Sequence, residues 1–307
     1  MDPINLSVFS GDLICLMGIN GCGKSTFFKT VASLVPPLSG EVHLNGQNIA
    51  TMSAKEKSHL MSFVFSGSIG DQHLLVDDIL IFSRYPYSNF WGKLSKADKL
   101  IIEDVVELLG LSDFRYKTLG ELSDGQKQKV WIARAFVQDT PLVFLDEPTN
   151  FLDIPHRLDV MRILRLMARQ KNKAVIFSSH DWESALSTAS WLWLVNDKKL
   201  AKGVPEDFIL NSLLHKVFSK DNFIFDHERG VFKEKIVGAK KIILDVKKSS
   251  FEQRHWTIHA LTKVGFLCEL EGHAQIRLEN DVWIVEEKTG PKICQSLEEL
   301  LNTLGHF

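Results

Sequence analysis

The sequence predicts an α/β fold, a mostly parallel buried sheet with a helical insertion, followed by a small α+β unit. Three observations lead there. Residues 12–17 (DLICLM) are a short apolar run, joined by Gly18-Ile19-Asn20-Gly21-Cys22-Gly23-Lys24-Ser25-Thr26 to a segment with Phe27, Phe28, Val31 and Leu34 at helical spacing. Residues 142–145 (LVFL) are four apolar residues that run into Asp146 and Glu147, the pattern of a buried parallel strand with carboxylates at its C-terminal edge. Between these two strands, residues 76–83, 96–109 and 124–138 turn to three-to-four spacing, which reads as helices inserted into an α/β domain over about residues 74–138.

In chain order, residues 4–9 read as a strand and Ser10-Gly11-Asp12 as the turn into the next one. The glycine-rich stretch matches GxxxxGK[ST] in full, between a strand and a helix, the context a phosphate-binding loop requires. Its glycines let successive backbone N–H groups turn inward onto the phosphates of a nucleotide, and the helix dipole adds positive potential. Lys24 then reaches the β- and γ-phosphates, and the Ser25 hydroxyl is placed to ligate Mg²⁺. Pro36-Pro37-Leu38-Ser39-Gly40 breaks the chain; residues 41–44 read as a strand ending in an Asn45-Gly46 hairpin turn, and residues 60–65 as another strand.

After residue 147, Asp153 and Pro155 open a helix over residues 154–170, and a strand at 174–178 delivers His180. Residues 192–195 and 200–202 flank a hairpin in which Trp191 and Trp193 read as packing residues, and a helix over 206–217 closes the domain. Beyond it come a strand at 240–246 whose ends are kept solvated by Lys240, Lys241, Lys247 and Lys248, a helix at 251–263, strands at 266–270, 274–278 and 282–286, and a helix at 297–304. The expected domains are residues 1–232 and 233–307.

With 307 residues the chain is long enough for one large and one smaller domain. A net charge of −2 with 24% charged residues argues against a general nucleic-acid binder and against disorder. Cys15, Cys22, Cys268 and Cys294 lie far apart without metal-ligand spacing, which points to a reduced, cytosolic setting. Residues 1–17 lack the pattern of a signal peptide, and no apolar run approaches the ~18 residues of a membrane span.

Further elements follow the phosphate loop in one order. Leu122-Ser123-Asp124-Gly125-Gln126 precedes the acidic strand, Glu147 follows Asp146, Asn150, Leu152 and Asp153 come next, and His180 ends the following strand. With these residues the chain resembles the ATP-binding cassette (ABC) ATPases over residues 4–217. Ser83-Arg84-Tyr85-Pro86-Tyr87 and Phe90-Trp91-Gly92-Lys93-Leu94-Ser95 carry a closer resemblance, to the ATPase subunits of bacterial importers for ferric siderophores, haem and cobalamin.

The resemblance implies roles residue by residue. Gly18, Asn20, Gly21, Cys22, Gly23, Lys24, Ser25 and Thr26 hold ATP; Ser25 and Asp146 hold Mg²⁺; Glu147 polarises the attacking water and His180 contacts the γ-phosphate. Ser123, Asp124, Gly125 and Gln126 form a signature acting in trans on ATP bound by a second copy of the chain, and Asp153 sits in the D-loop at the dimer interface. Two of these positions also have complete local readings, Ser123 with Gln126 as a capping box and Asp153 as an N-cap. Implied partners are a second protomer, a polytopic membrane permease and, indirectly, a substrate-binding protein, at the cytoplasmic face of the membrane; nucleic acid is not among them. Asp124 replaces the usual glycine, and Ser66 stands where a metal-contacting glutamine is expected. The resemblance also expects a strand with an adenine-stacking aromatic upstream of residue 4, so either the start was placed late or the base is held otherwise, and weak discrimination between ATP and GTP is expected. The rival readings are a soluble ABC regulator without a permease and an ATP-binding subunit with weak turnover.

Overall fold

The computed structural model describes residues 4–19, 21–65, 71–88, 93–150, 152–197, 199–218, 223–226, 231–234, 240–279, 281–287 and 290–305. Ser66 and Asn20 therefore lie outside the described residues. The chain divides into two compact units, one of Met1–Phe218 with His227–Val231 and one of Ser219–Asp226 with Phe232–Phe307.

The first unit begins with β1 (Leu13–Gly18), buried at every position, and α1 (Lys24–Val31). A two-residue hairpin follows, β2 (His43–Leu44) and β3 (Gln47–Asn48), whose turn places Asn45 at φ 49° and Gly46 at φ 79°, the left-handed pair an Asn-Gly hairpin turn uses. Next come α2 (Ala54–Leu60), β4 (Met61–Val64), α3 (Val76–Ser83), α4 (Lys96–Leu109), α5 (Asp124–Val137), β5 (Leu142–Leu145), α6 (Ile154–Gln170), β6 (Ala174–Ser178), α7 (Trp182–Thr188), β7 (Trp191–Asn196), β8 (Lys199–Gly203), α8 (Pro205–Leu210) and α9 (Leu213–Phe218).

The sheet order is β4-β5-β6-β1-β7-β8, parallel through β7 with β8 antiparallel at the edge. This order sets the C-terminal ends of β1, β6 and β5 side by side, and it is there that open α/β sheets collect their ligands. One face of the sheet buries Ile14, Leu16, Phe144, Ile176 and Trp193 under Phe28 of α1. Helices α5 and α6 bury Val130, Phe136, Met161 and Leu164, and α6 packs against β1 and β6. Strands covered on both faces read as unbroken apolar runs, which is why β1, β5 and β6 are legible in the sequence.

The structure corrects several expectations. Residues 4–9 form no strand: Leu6 and Val8 pack against the core, but the Phe9 N–H goes to the Asp12 carboxylate at 2.8 Å in a turn instead of to a neighbouring strand. The helix expected over 206–217 is two helices, α8 and α9, broken at Asn211 and Ser212, where Ser212 has φ 54°. Trp193 is buried, but Trp191 is exposed and its indole N–H donates to Asp12 Oδ1 at 3.1 Å. Helices α2 and α7 were not expected; α2 buries none of its residues, so it carries no apolar period and shows itself only in the Ser53/Glu56 capping box.

β9 (Phe223–Asp226) and β10 (Val231–Glu234), whose first residue belongs to the first unit, form a two-stranded sheet; the second unit then contains β11 (Lys240–Lys248), α10 (Phe251–Lys263), β12 (Phe266–Glu269), β13 (Ile276–Glu279), β14 (Val282–Glu287), β15 (Gly290–Cys294) and α11 (Leu297–Thr303). The five-stranded order is β12-β11-β13-β14-β15, and Leu261, Ile276, Leu278 and Leu300 are fully buried in its own core. β9, β10 and β15 were not anticipated from the sequence.

Candidate active site

The loop between β1 and α1 is shaped by glycine. A Cβ on Gly18 would lie 2.5 Å from Cys22 Sγ and 2.7 Å from the Val195 carbonyl oxygen, so only a hydrogen fits where β1 meets the loop. Gly23, at φ 104°, opens α1 without a side-chain cap. The first-turn N–H groups of α1 therefore keep their capacity for an anion, reinforced by the helix dipole. Lys24 is buried, and its ammonium donates to the carbonyls of Gly18 at 2.9 Å and Ile19 at 3.4 Å, which folds the loop around it. An ammonium has three donors, so one more is left for a phosphate oxygen.

Ser25, on the first turn of α1, meets the end of β5. Its hydroxyl donates to Asp146 Oδ2 at 3.0 Å, across 121 residues of sequence. The other oxygen, Oδ1, accepts from Ser178 Oγ at 2.6 Å at the end of β6. The same Ser178 hydroxyl accepts the Glu147 N–H at 2.8 Å. Glu147 has φ 50°, a left-handed conformation that costs a non-glycine residue about 1–3 kcal/mol, and the bond to Ser178 helps hold it there. Its side chain is held by Asn150, whose Nδ2 donates to Oε2 at 3.0 Å, and His180 Nδ1 lies nearby, 3.7 Å from Oε1. Lys24, Ser25, Asp146, Glu147 and His180, expected to act together, are thus brought to one edge of the sheet. The sequence marks Ser178 only as a strand end; the signal for its role is a hydroxyl at the last position of a buried run beside two acids.

Ser123 caps α5 as expected: its Oγ accepts the Gln126 N–H at 3.3 Å, and Gln126 Oε1 accepts the Ser123 N–H at 3.0 Å. Asp124 is an exposed first-turn residue of the same helix, its carboxylate 3.8 Å from Lys127 Nζ, so it favours its own helix dipole. Asp153 caps α6 and accepts from both the backbone N–H and the ring of His156, which hold its carboxyl below the usual range. Arg157 pairs with Asp181 at 2.8 Å; burial pushes the Asp181 carboxyl up, but the Ser184 hydroxyl and N–H and Arg157 outweigh it and leave it below the usual range. Nothing in the sequence alone singles out His156 or Arg157.

Residues 1–150 match the family described as ABC transporter, and residues 249–305 match the Iron ABC transporter C-terminal domain. The chain is 34% identical to an uncharacterized ABC transporter ATP-binding protein of Methanocaldococcus jannaschii, over 80% of this chain and 85% of that protein. It is 33% identical to the probable siderophore transport system ATP-binding protein YusV of Bacillus subtilis, over 71% of this chain and 80% of that one. Among solved structures it resembles one described as a metal-chelate type ABC transporter in an inward-facing conformation, with TM-score 0.62 and 25% identity over 70% of this chain and 80% of that chain. A nucleotide-free ATP-binding cassette from an ABC transporter gives TM-score 0.61 at 22% identity, covering 69% and 88%, and shows the shared fold. On these likenesses the chain belongs to the ABC transporter family as an ATP-binding, ATP-hydrolysing protein.

Proposed function

We propose that this protein is the energy-coupling subunit of an importer for ferric siderophores or related metal chelates, working as a homodimer on a membrane permease that receives its cargo from a substrate-binding protein. Among the described residues no helix is long and apolar enough to cross a membrane. The cargo class is supported by the names of its relatives and by the iron-transporter family matched at residues 249–305. The observation that carries the catalytic reading is the convergence of Ser25, Asp146, Glu147 and His180 on the mouth of the phosphate loop.

Mg²⁺ fits this edge. A hydroxyl and a carboxylate 3.0 Å apart are hard oxygen donors, and one carboxylate with a hydroxyl is how protein commonly holds Mg²⁺ that keeps water and phosphate oxygens as its other ligands. Ser25 and Asp146 are the residues that would hold it, and when bound it neutralises charge on the β- and γ-phosphates. Lys24 and the first-turn N–H groups of α1 bind the phosphates. Glu147 accepts a hydrogen bond from the water that attacks the γ-phosphorus, Asn150 fixes its carboxylate in place, and His180 beside it contacts the γ-phosphate. Ser123 and the N-terminus of α5 reach the γ-phosphate bound by the partner, so two ATPs are sealed between two copies. Deleting the gene should abolish growth on a ferric siderophore as sole iron source, with rescue by the wild-type chain but not by Lys24→Ala. The tagged chain should co-purify with a polytopic membrane protein. Normal uptake without the gene would contradict the cargo assignment.

A further inference from the structure

The first turn of α6 touches both of the elements that have to be aligned for a composite site. His156 stands at its start, with the backbone N–H 3.0 Å and ring Nδ1 2.5 Å from Asp153 Oδ1. Other atoms of the ring lie close to the start of α5. A Cβ on Gly125 would come within 3.3 Å of His156 Cδ2 and 3.4 Å of Cγ, tighter than ordinary contact. The next residue, Arg157, donates to Asp181 Oδ2 at 2.8 Å and to the Leu152 carbonyl at 3.5 Å. Asp181 directly follows His180, its N–H bonds Ser179 Oγ at 2.9 Å, and its carboxylate caps α7 through the Ser184 N–H at 3.2 Å. One turn further along, Asp159 pairs with Lys129 of α5 at 3.0 Å. Adjacent side chains thus hold the signature turn on one side and the His180 loop on the other.

We propose that the first turn of α6 is a bracket, with His156 a positioning residue that sets the start of α5 at a fixed distance from Asp153 and so presents Ser123 and Gly125 in register to the ATP of the partner. Neither His156 nor Arg157 bonds to the phosphate loop of its own protomer: His156 bears on the trans half of the site, while Arg157 steadies the loop that carries His180. Its force is geometric. A side chain at position 125 would press on the His156 ring, which would have to give by a few tenths of an ångström. A shift of about 1 Å in a group that contacts a reacting phosphate can cost on the order of a hundredfold in rate. The proposal rests on the composite-site reading and deepens it.

The test is made in full-length Glu147→Gln protein, in which ATP is held without turnover. ATP-dependent dimerisation is measured by sedimentation, ADP affinity by calorimetry and folding by thermal melt, in the parent and after adding His156→Ala. The expected result is dimerisation weakened about tenfold or more with ADP Kd changed less than about twofold, since the phosphate loop is untouched. Should the alanine variant fail to fold, His156→Gln is read in the same way. Unchanged dimerisation would overturn the bracket, and so would a loss of ADP affinity equal to the loss of dimerisation, which marks a general structural role. A parent that binds ATP and stays monomeric would overturn the composite-site reading itself, and the bracket with it.

Discussion

The hydroxyl of Ser178 donates to Asp146 Oδ1 at 2.6 Å while accepting the backbone N–H of Glu147 at 2.8 Å. A single fully buried side chain on β6 therefore fixes both acids at the end of β5. Ser178→Ala leaves the Glu147 N–H without this acceptor and Asp146 without this donor, at about 1–3 kcal/mol for a buried group left unsatisfied. We expect kcat for ATP hydrolysis to fall about tenfold or more, with ADP affinity less affected. Steady-state turnover within twofold of wild type would contradict this.

Arg84 is buried at the end of α3, where its guanidinium pairs with Asp98 at 2.7 Å, donates to the Val137 and Gln138 carbonyls at 3.0 and 3.2 Å, and stacks on Tyr87. It joins the end of α3, the start of α4 and the end of α5. Arg84→Ala leaves the Asp98 carboxylate buried without its cation, and we expect a loss of about 3–5 kcal/mol in unfolding experiments. Burial pushes the Asp98 carboxyl up, but the Ser95 hydroxyl and N–H and Arg84 outweigh it, and the net position is below the usual range. The folded-state value thus lies below the unfolded one, so the stabilisation is full above about pH 4 and is lost as pH falls through the folded value. The stability gap between wild type and Asp98→Asn should be constant from about pH 8 to pH 5 and close below about pH 4. A gap that closes near neutral pH would contradict the assignment.

How much of this was legible depended on period. α3, α4 and α6 bury an apolar stripe and were read from spacing to their ends; α2 buries nothing and was missed. The break between α8 and α9 has no glycine or proline to announce it, only Ser212 in a left-handed conformation. Lys24, Ser25, Asp146 and Glu147 were legible because their motifs tie residue type to spacing. Ser178, His156 and Arg157 were not, because what each does depends on an element distant in sequence.

The cysteines differ in reactivity for physical reasons. Cys15 and Cys294 are buried, and burial pushes the Cys268 thiol up to about 11, so about one part in a thousand is thiolate at pH 8. Cys22 is only partly buried, in the phosphate loop. Iodoacetamide at pH 8 should label Cys22 first, and saturating ADP should slow that labelling; peptide mass spectrometry with and without ADP gives the answer. Labelling at an unchanged rate would place nucleotide away from this loop.

The second unit has its own core, in which the buried Trp283 indole donates to Thr257 Oγ1 at 2.6 Å. Its described residues supply none of the phosphate-loop, acidic-strand or signature side chains. Truncation after Phe218, which removes the second unit whole, should leave ATP and ADP affinity within about threefold, with coupling to transport reduced or lost. A folded truncated protein without nucleotide binding would show that the tail completes the site.

The central claim is that ATP is shared between two copies, bound by Lys24 and Ser25 of one and contacted by the α5 N-terminus of the other. Glu147→Gln preserves shape and hydrogen bonding but removes the charge that activates water, so it should bind ATP and not hydrolyse it. Light scattering of this variant at equal protein concentration should report a dimer with ATP and a monomer with ADP, because the γ-phosphate is what bridges the protomers. Adding Ser123→Arg should abolish the dimer and leave nucleotide binding by each monomer intact. A Glu147→Gln protein that is saturated with ATP and remains monomeric at high concentration would contradict the account.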